Sequence, residues 1–225
     1  MCFSAAGSFG AGILLCSAGI ITLKKSAIPS QMAFAAIPLF FGIQQLSEGF
    51  VWLSLTHLQY AKWQSLTTYV FSFFSHILWP VWVAFAVLFF EHEKKNKRIL
   101  FPIFMVGLLL SLCEAYFIST YGVEAKVEGH HIDYYIGFPR SFMLLSEIVY
   151  AFVTIVPCFV CSHKPMRFFA MVLIISIIVA DYFYHQWLIS VWCFFAAILS
   201  MVVYYIIYKV PTVISNKVVI ANNAL

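Results

Sequence analysis

Charge is what this sequence has least of. Asp, Glu, Lys and Arg make up only 10% of its 225 residues, against roughly 25% in an ordinary soluble domain. With 63% of its residues hydrophobic, such a chain cannot clothe a water-facing surface in polar groups. A soluble enzyme, a nucleic-acid-binding protein and a disordered chain are thereby excluded. Linkers, repeats and low-complexity tracts are missing too, so residues 1–225 read as a single domain. The six cysteines, Cys2, Cys16, Cys113, Cys158, Cys161 and Cys193, lie mostly within apolar runs and form no disulfide framework. His163 comes one residue too late for Cys158 and Cys161 to form a haem-attachment motif, and the pair reads as small buried residues.

What the sequence does have is apolar length. A helix crossing the hydrocarbon core needs about 20 predominantly apolar residues. Such runs occur near 8–23, 31–55, 67–90, 99–120, 141–161, 168–184 and 187–208, the last two split by a tight turn expected at 184–189. The basic residues then set the direction. Lys24, Lys25, Lys94, Lys95, Lys97, Arg98, Lys164, Arg167, Lys209 and Lys217 fall on one side of this partition, 10 of the 13. Only Lys62, Lys126 and Arg140 fall on the other. The positive-inside rule therefore orients the chain with its N-terminus outside and its C-terminus cytoplasmic. The first run lacks a basic leader and precedes its lysines, so it reads as a span rather than a cleaved signal. The expected fold class is all-α, a polytopic transmembrane bundle of about seven spans.

Against that background the acids stand out. Glu91, Glu93, Glu124, Glu128 and Asp133 belong to loops, but Glu48, Glu114, Glu147 and Asp181 lie inside expected spans. An ionised group near the bilayer centre costs about 2.5–3.5 kcal/mol even on the insertion scale, which makes each a functional hypothesis. Counting residues to the nearest span end places all four roughly 5–12 Å below the outer surface at 1.5 Å per residue. No lysine or arginine lies within a span core, and Arg140 alone is placed to reach this layer, two turns before Glu147. The acids must then be protonated, opened to water or bound to a cation.

Polar neighbours populate the same layer. Gln44 and Glu48 are one turn apart with Gln45 beside them, and Asp181 and His185 share the i, i+4 spacing that lets two side chains address one point. His76 lies on the third span, one turn after Ser72. The outer loop VEGHHIDYY carries His130 and His131 and is long enough to fold over the bundle mouth. Carboxylates and imidazoles on facing helices are how bundles hold zinc or iron. A divalent metal on Glu48, His76, Asp181 and His185 is therefore the expected cofactor, with Glu48, Glu114 and Glu147 as catalytic carboxylates. Each also has a plainer reading, as a hydrogen-bonded helix contact or, for His130 and His131, a surface residue. The segment 91–98, EHEKKNKR, reads as a topology-setting loop.

Several blocks resemble an uncharacterised bacterial family of small polytopic membrane proteins: MCFSAAGSFGAG at the start, AIPLFFGIQQLSEGFVWLSL, LWPVWV and SVWCFFAAILS. The resemblance covers most of the chain and implies a multi-pass fold in the bacterial inner membrane, without an assigned activity. It places Gln44, Gln45, Glu48 and Trp52 in one family block and Cys2, Phe3 and Ser4 in another. Cys2 would stand at the outer mouth, as a thiolate ligand or as a membrane-surface cysteine without a role. A second similarity is to membrane-embedded metal hydrolases of the alkaline ceramidase and adiponectin-receptor type. Ser72-x-x-x-His76 matches their serine–histidine pair, whereas Asp181 stands where their late helix has a first histidine.

Three functions follow as expectations. The first is a membrane-embedded metal enzyme acting on a lipid or small apolar molecule entering from the outer side. Its alternative is a proton- or cation-coupled transporter or channel, and the third is an accessory subunit with no site. The partners expected are the lipid bilayer and such a ligand, with no nucleic acid.

Overall fold

A computed structural model describes residues 4–129, 131–184 and 195–209, the side chains at 140, 141, 181, 183 and 184 apart. Helix α1 spans Ala5–Lys25. The Ser4 hydroxyl opens it by accepting the Gly7 N–H at 3.1 Å, and Lys24 and Lys25 sit in its last turn, where the helix dipole favours cations. Helices α2 (Pro29–Ala35) and α3 (Ile37–Thr56) form one bent span. The bend falls just before Pro38, which has no N–H to continue the ladder. The next span joins a 3₁₀ turn (Leu58–Trp63), α4 (Gln64–Ser72), a π-helical turn (Phe73–Leu78) and α5 (Trp79–Phe90). Helices α6 (Lys94–Tyr121), α7 (Arg140–Val160), α8 (Lys164–Tyr184) and α9 (Phe195–Lys209) complete the described helices.

Among the described residues five stretches are long and apolar enough to cross a membrane: Ala5–Lys25, Pro29–Thr56, Leu58–Phe90, Lys94–Tyr121 and Phe142–Val160. They coincide with the first five expected spans. Helices α8 and α9 cover the sixth and much of the seventh, and the turn expected at 184–189 falls almost wholly outside the described residues.

The all-α expectation needs one correction. The loop between α6 and α7 is a two-stranded antiparallel hairpin, β1 (Val123–Glu128) and β2 (His131–Ile136), in register Ala125↔Tyr134 and Val127↔Ile132. Its sequence alternates, so Val123, Ala125, Ile132, Tyr134 and Ile136 are all buried while Glu124, Lys126 and Tyr135 are exposed. Gly129, at φ +61°, supplies the left-handed backbone of the turn. The hairpin does fold back over the bundle. Tyr134 stacks on Phe71 of α4 at 4.4 Å between ring centres, and Ala125, Ile132 and Tyr134 pack with Val51 and Trp52 of α3.

The main core lies towards the opposite, lysine-bearing end. There Phe34 of α2 meets Phe90 of α5 and Phe169 of α8 edge to face, at 5.7 and 5.3 Å between ring centres. Beside it the fully buried Glu91 joins two loops. One carboxylate oxygen accepts the N–H groups of His92 and Glu93 and the Ser162 hydroxyl; the other accepts the Ser162 N–H and the Asn96 amide. Burial pushes this carboxyl up, but the bonds from Ser162, Glu93 and Asn96 more than offset it and hold it down at about 2.

Candidate functional site

The third span is irregular where its polar residues are. In a π-helical register a carbonyl is met by the N–H five residues on. For Ser75 that residue is Pro80, which has no N–H. Its carbonyl is met from another helix instead, by the Tyr150 hydroxyl of α7 at 3.0 Å. The Tyr150 proton is thereby committed, and its oxygen is left as an acceptor towards other neighbours. Glu114 of α6 lies within electrostatic range of this hydroxyl. Gly107 lets α6 approach this span, since a Cβ there would stand 2.5 Å from the Pro80 carbonyl oxygen.

The polar atoms around this turn are poorly satisfied. Glu114 is 2% exposed, and its Oε2 has no hydrogen-bond partner among the described residues. The same is true of Ser111 Oγ, one turn earlier on α6, and of His76 Nε2 on the π turn. Ser72 Oγ and Thr68 Oγ1, successive turns back along α4, are likewise buried and unpartnered. An unmet buried polar group costs about 1–3 kcal/mol, so five along one seam call for water or a ligand. An ion pair, Lys126–Glu124, lies away from this turn on the exposed side of the hairpin.

Glu48 belongs to a second polar group, between α1 and α3. It is fully buried and accepts from Gln45 on its own helix and from the Ser8 hydroxyl at 3.4 Å. Gln44 turns instead to the third span, its Oε1 accepting the Trp79 indole N–H at 2.6 Å. Trp52, one turn beyond Glu48, has a buried indole N–H with no partner among the described residues. An open groove of about 390 Å³ lies further along α3, lined by Phe50, Leu53, Ser54, Tyr60, Trp63 and Thr67.

The remaining candidates are dispersed. Glu147 is exposed on α7, and His131 starts β2 opposite Glu128. Cys2, His130 and His185 lie outside the described residues, as do the side chains of Arg140 and Asp181. Among the described residues no three His, Cys, Asp or Glu side chains gather closely enough to hold a metal ion. Cys16, Cys113, Cys158 and Cys161 are free thiols, and burial pushes Cys161 up to about 12, far from an active thiolate. Tyr150, Ser111 and Thr68 escaped notice in the sequence. Tyrosine and serine are ordinary in so aromatic a bundle, and only Pro80 inside a span hinted that a carbonyl there needed a donor.

No curated protein and no solved structure matches the chain at a significant level. A family model does, along residues 1–217, and the chain therefore belongs to the family of unknown function DUF6629.

Proposed function

We propose that this chain is a multi-pass protein of the bacterial inner membrane, with seven spans and its N-terminus outside. In this reading it carries protons or a small cation across that membrane. Glu114 is the group that takes up and releases the charge. The observation that carries this reading is the buried, unpartnered carboxylate oxygen of Glu114 beside Tyr150 and the irregular π turn. Without a fixed counter-charge such a carboxylate holds a proton, a cation or water, and exchanging these is what intramembrane acids do in carriers.

A metal-dependent enzyme acting on a lipid draws less support. Its ligand set of Glu48, His76, Asp181 and His185 divides between two polar groups and undescribed positions. A purely accessory role leaves the row of unmet polar atoms without a reason.

The test is ion flux in proteoliposomes loaded with a pH-sensitive dye and driven by a potassium diffusion potential. The native chain should dissipate the gradient, and Glu114→Gln, which keeps the shape but cannot exchange a proton, should reduce flux to the level of empty liposomes. Flux through Glu114→Gln as fast as through the native chain would overturn the assignment.

A further inference from the structure

Thr68, Ser72 and His76 follow one another at intervals of four residues along the third span, so their side chains form a row down one side of it. Each has a buried polar atom with no partner among the described residues, and Thr68 and Ser72 are each only 1% exposed. The row begins beneath the hairpin. Phe71, which shares the face of Thr68 and Ser72, packs with Trp52 and stacks on Tyr134. It ends at the π turn, which packs against α6, the helix of Glu114 and Ser111. On α3, Trp52 Nε1 and Gln45 Oε1 are also buried without a partner among the described residues, and Trp52 packs with Phe71 of the third span. The antiparallel register of the two helices is marked by Ser54–Thr67 at one end and Gln44–Trp79 at the other.

We infer that Thr68, Ser72 and His76 line a file of internal water running from beneath the hairpin to Glu114, and that the species it conducts is the proton. This rests on the proposed role of Glu114 and narrows its cargo from any small cation. The residue types suit a proton. Serine and threonine hydroxyls each donate and accept, and a neutral imidazole has one nitrogen of each kind. A dehydrated metal ion would need several oxygen or nitrogen ligands at one point, whereas these groups are strung out one turn apart. The step balances simply. One proton enters at the hairpin end, each water passes one proton on, every hydroxyl ends with the proton count it began with, and Glu114 receives one. Internal waters need about three polar partners each, and the unmet atoms of the row and of Trp52 are available to supply them.

Two measurements on the full chain test the file. Hydroxyl-radical footprinting should oxidise Trp52 and His76 from internal water. Phe34 and Phe90, buried to a similar degree in the core at the lysine-bearing end, should stay protected. In the liposome assay, Ser72→Val and Thr68→Val should each slow proton flux about tenfold, the rate equivalent of one lost hydrogen bond. Ser72→Thr, which keeps the hydroxyl, should conduct normally. Protection of Trp52 and His76 equal to that of Phe34 overturns the file. So does native flux through both valine variants while Glu114→Gln is dead, an outcome that leaves the role of Glu114 standing. If Glu114→Gln conducts normally, that role falls, and footprinting alone then decides whether the seam is wet.

Discussion

Replacing Glu91 by alanine should destabilise the folded protein by about 3 kcal/mol, because removing the acceptor of several buried donors costs far more than a surface contact. Five donors converge on this carboxylate: the N–H groups of His92, Glu93 and Ser162, the Ser162 hydroxyl and the Asn96 amide. Glu91→Gln should recover part of the loss, since one carbonyl oxygen remains while the new NH₂ faces donors it cannot satisfy. Ser162→Ala removes one donor and should cost about 1 kcal/mol.

The pH dependence has a definite sign. A carboxyl held at about 2, against an ordinary 4.5, binds its proton less readily when folded. Its contribution is therefore complete above about pH 4.5 and lost as pH falls from there through 2. By linkage that difference is worth about 3 kcal/mol, in agreement with the alanine estimate. Thermal unfolding in detergent micelles, followed by labelling of the buried thiols Cys158 and Cys161, reads all of these effects. An Ala variant as stable as the native chain, or a native chain with flat stability between pH 5 and pH 2, shows that the loops are not joined through Glu91.

The same residue shows where sequence reasoning ended. Apolar length marked the spans, because a membrane helix must be long and uninterrupted, and a polar side chain inside such a run announces itself. Glu48, His76 and Glu114 were visible for that reason. Glu91 was not, since an acid beside KKNKR looks like part of a solvated loop, and its partner Ser162 is 71 residues away. Depth could be counted along each helix but direction around the axis could not. Glu48 and Glu114 accordingly fall into different polar groups, and Glu147 points outward. The hairpin was hidden because twelve alternating residues are a weak signal beside runs of 20. The π turn depends on a hydrogen-bond register that no periodicity reports, although Pro80 fixes which carbonyl it leaves unmet.

Gly42→Val should be among the most damaging changes in the apolar part of the bundle, with Gly19→Val, where a Cβ would run into the Leu39 backbone nitrogen, each costing about 3 kcal/mol as overpacking against backbone. Helices α1 and α3 meet through glycines seven residues apart on each, Gly12 facing Leu46 and Gly19 facing Leu39, Gly42 facing Cys16 and Gly49 facing Phe9, the interval that returns a helix to the same face. Small residues at such a seam let two helices approach closely where lipid offers no hydrophobic gain from association. A Cβ at Gly42 would stand 2.5 Å from both the backbone nitrogen and the thiol of Cys16, so α1 itself must move. At Gly49 the obstacle is the Phe9 ring at 2.9 Å, a side chain that can turn, and Gly49→Ala should cost less. Gly10 faces open space, and Gly10→Ala should be neutral or slightly stabilising through helix propensity. The ranking matters more than any single value, because it follows what a Cβ would meet at each position. Forcing the helices apart also removes Ser8 from Glu48, so radical labelling at Trp52 should rise in Gly42→Val and stay unchanged in Gly10→Ala. Equal unfolding temperatures for these two variants would show that α1 and α3 do not meet along the glycine seam.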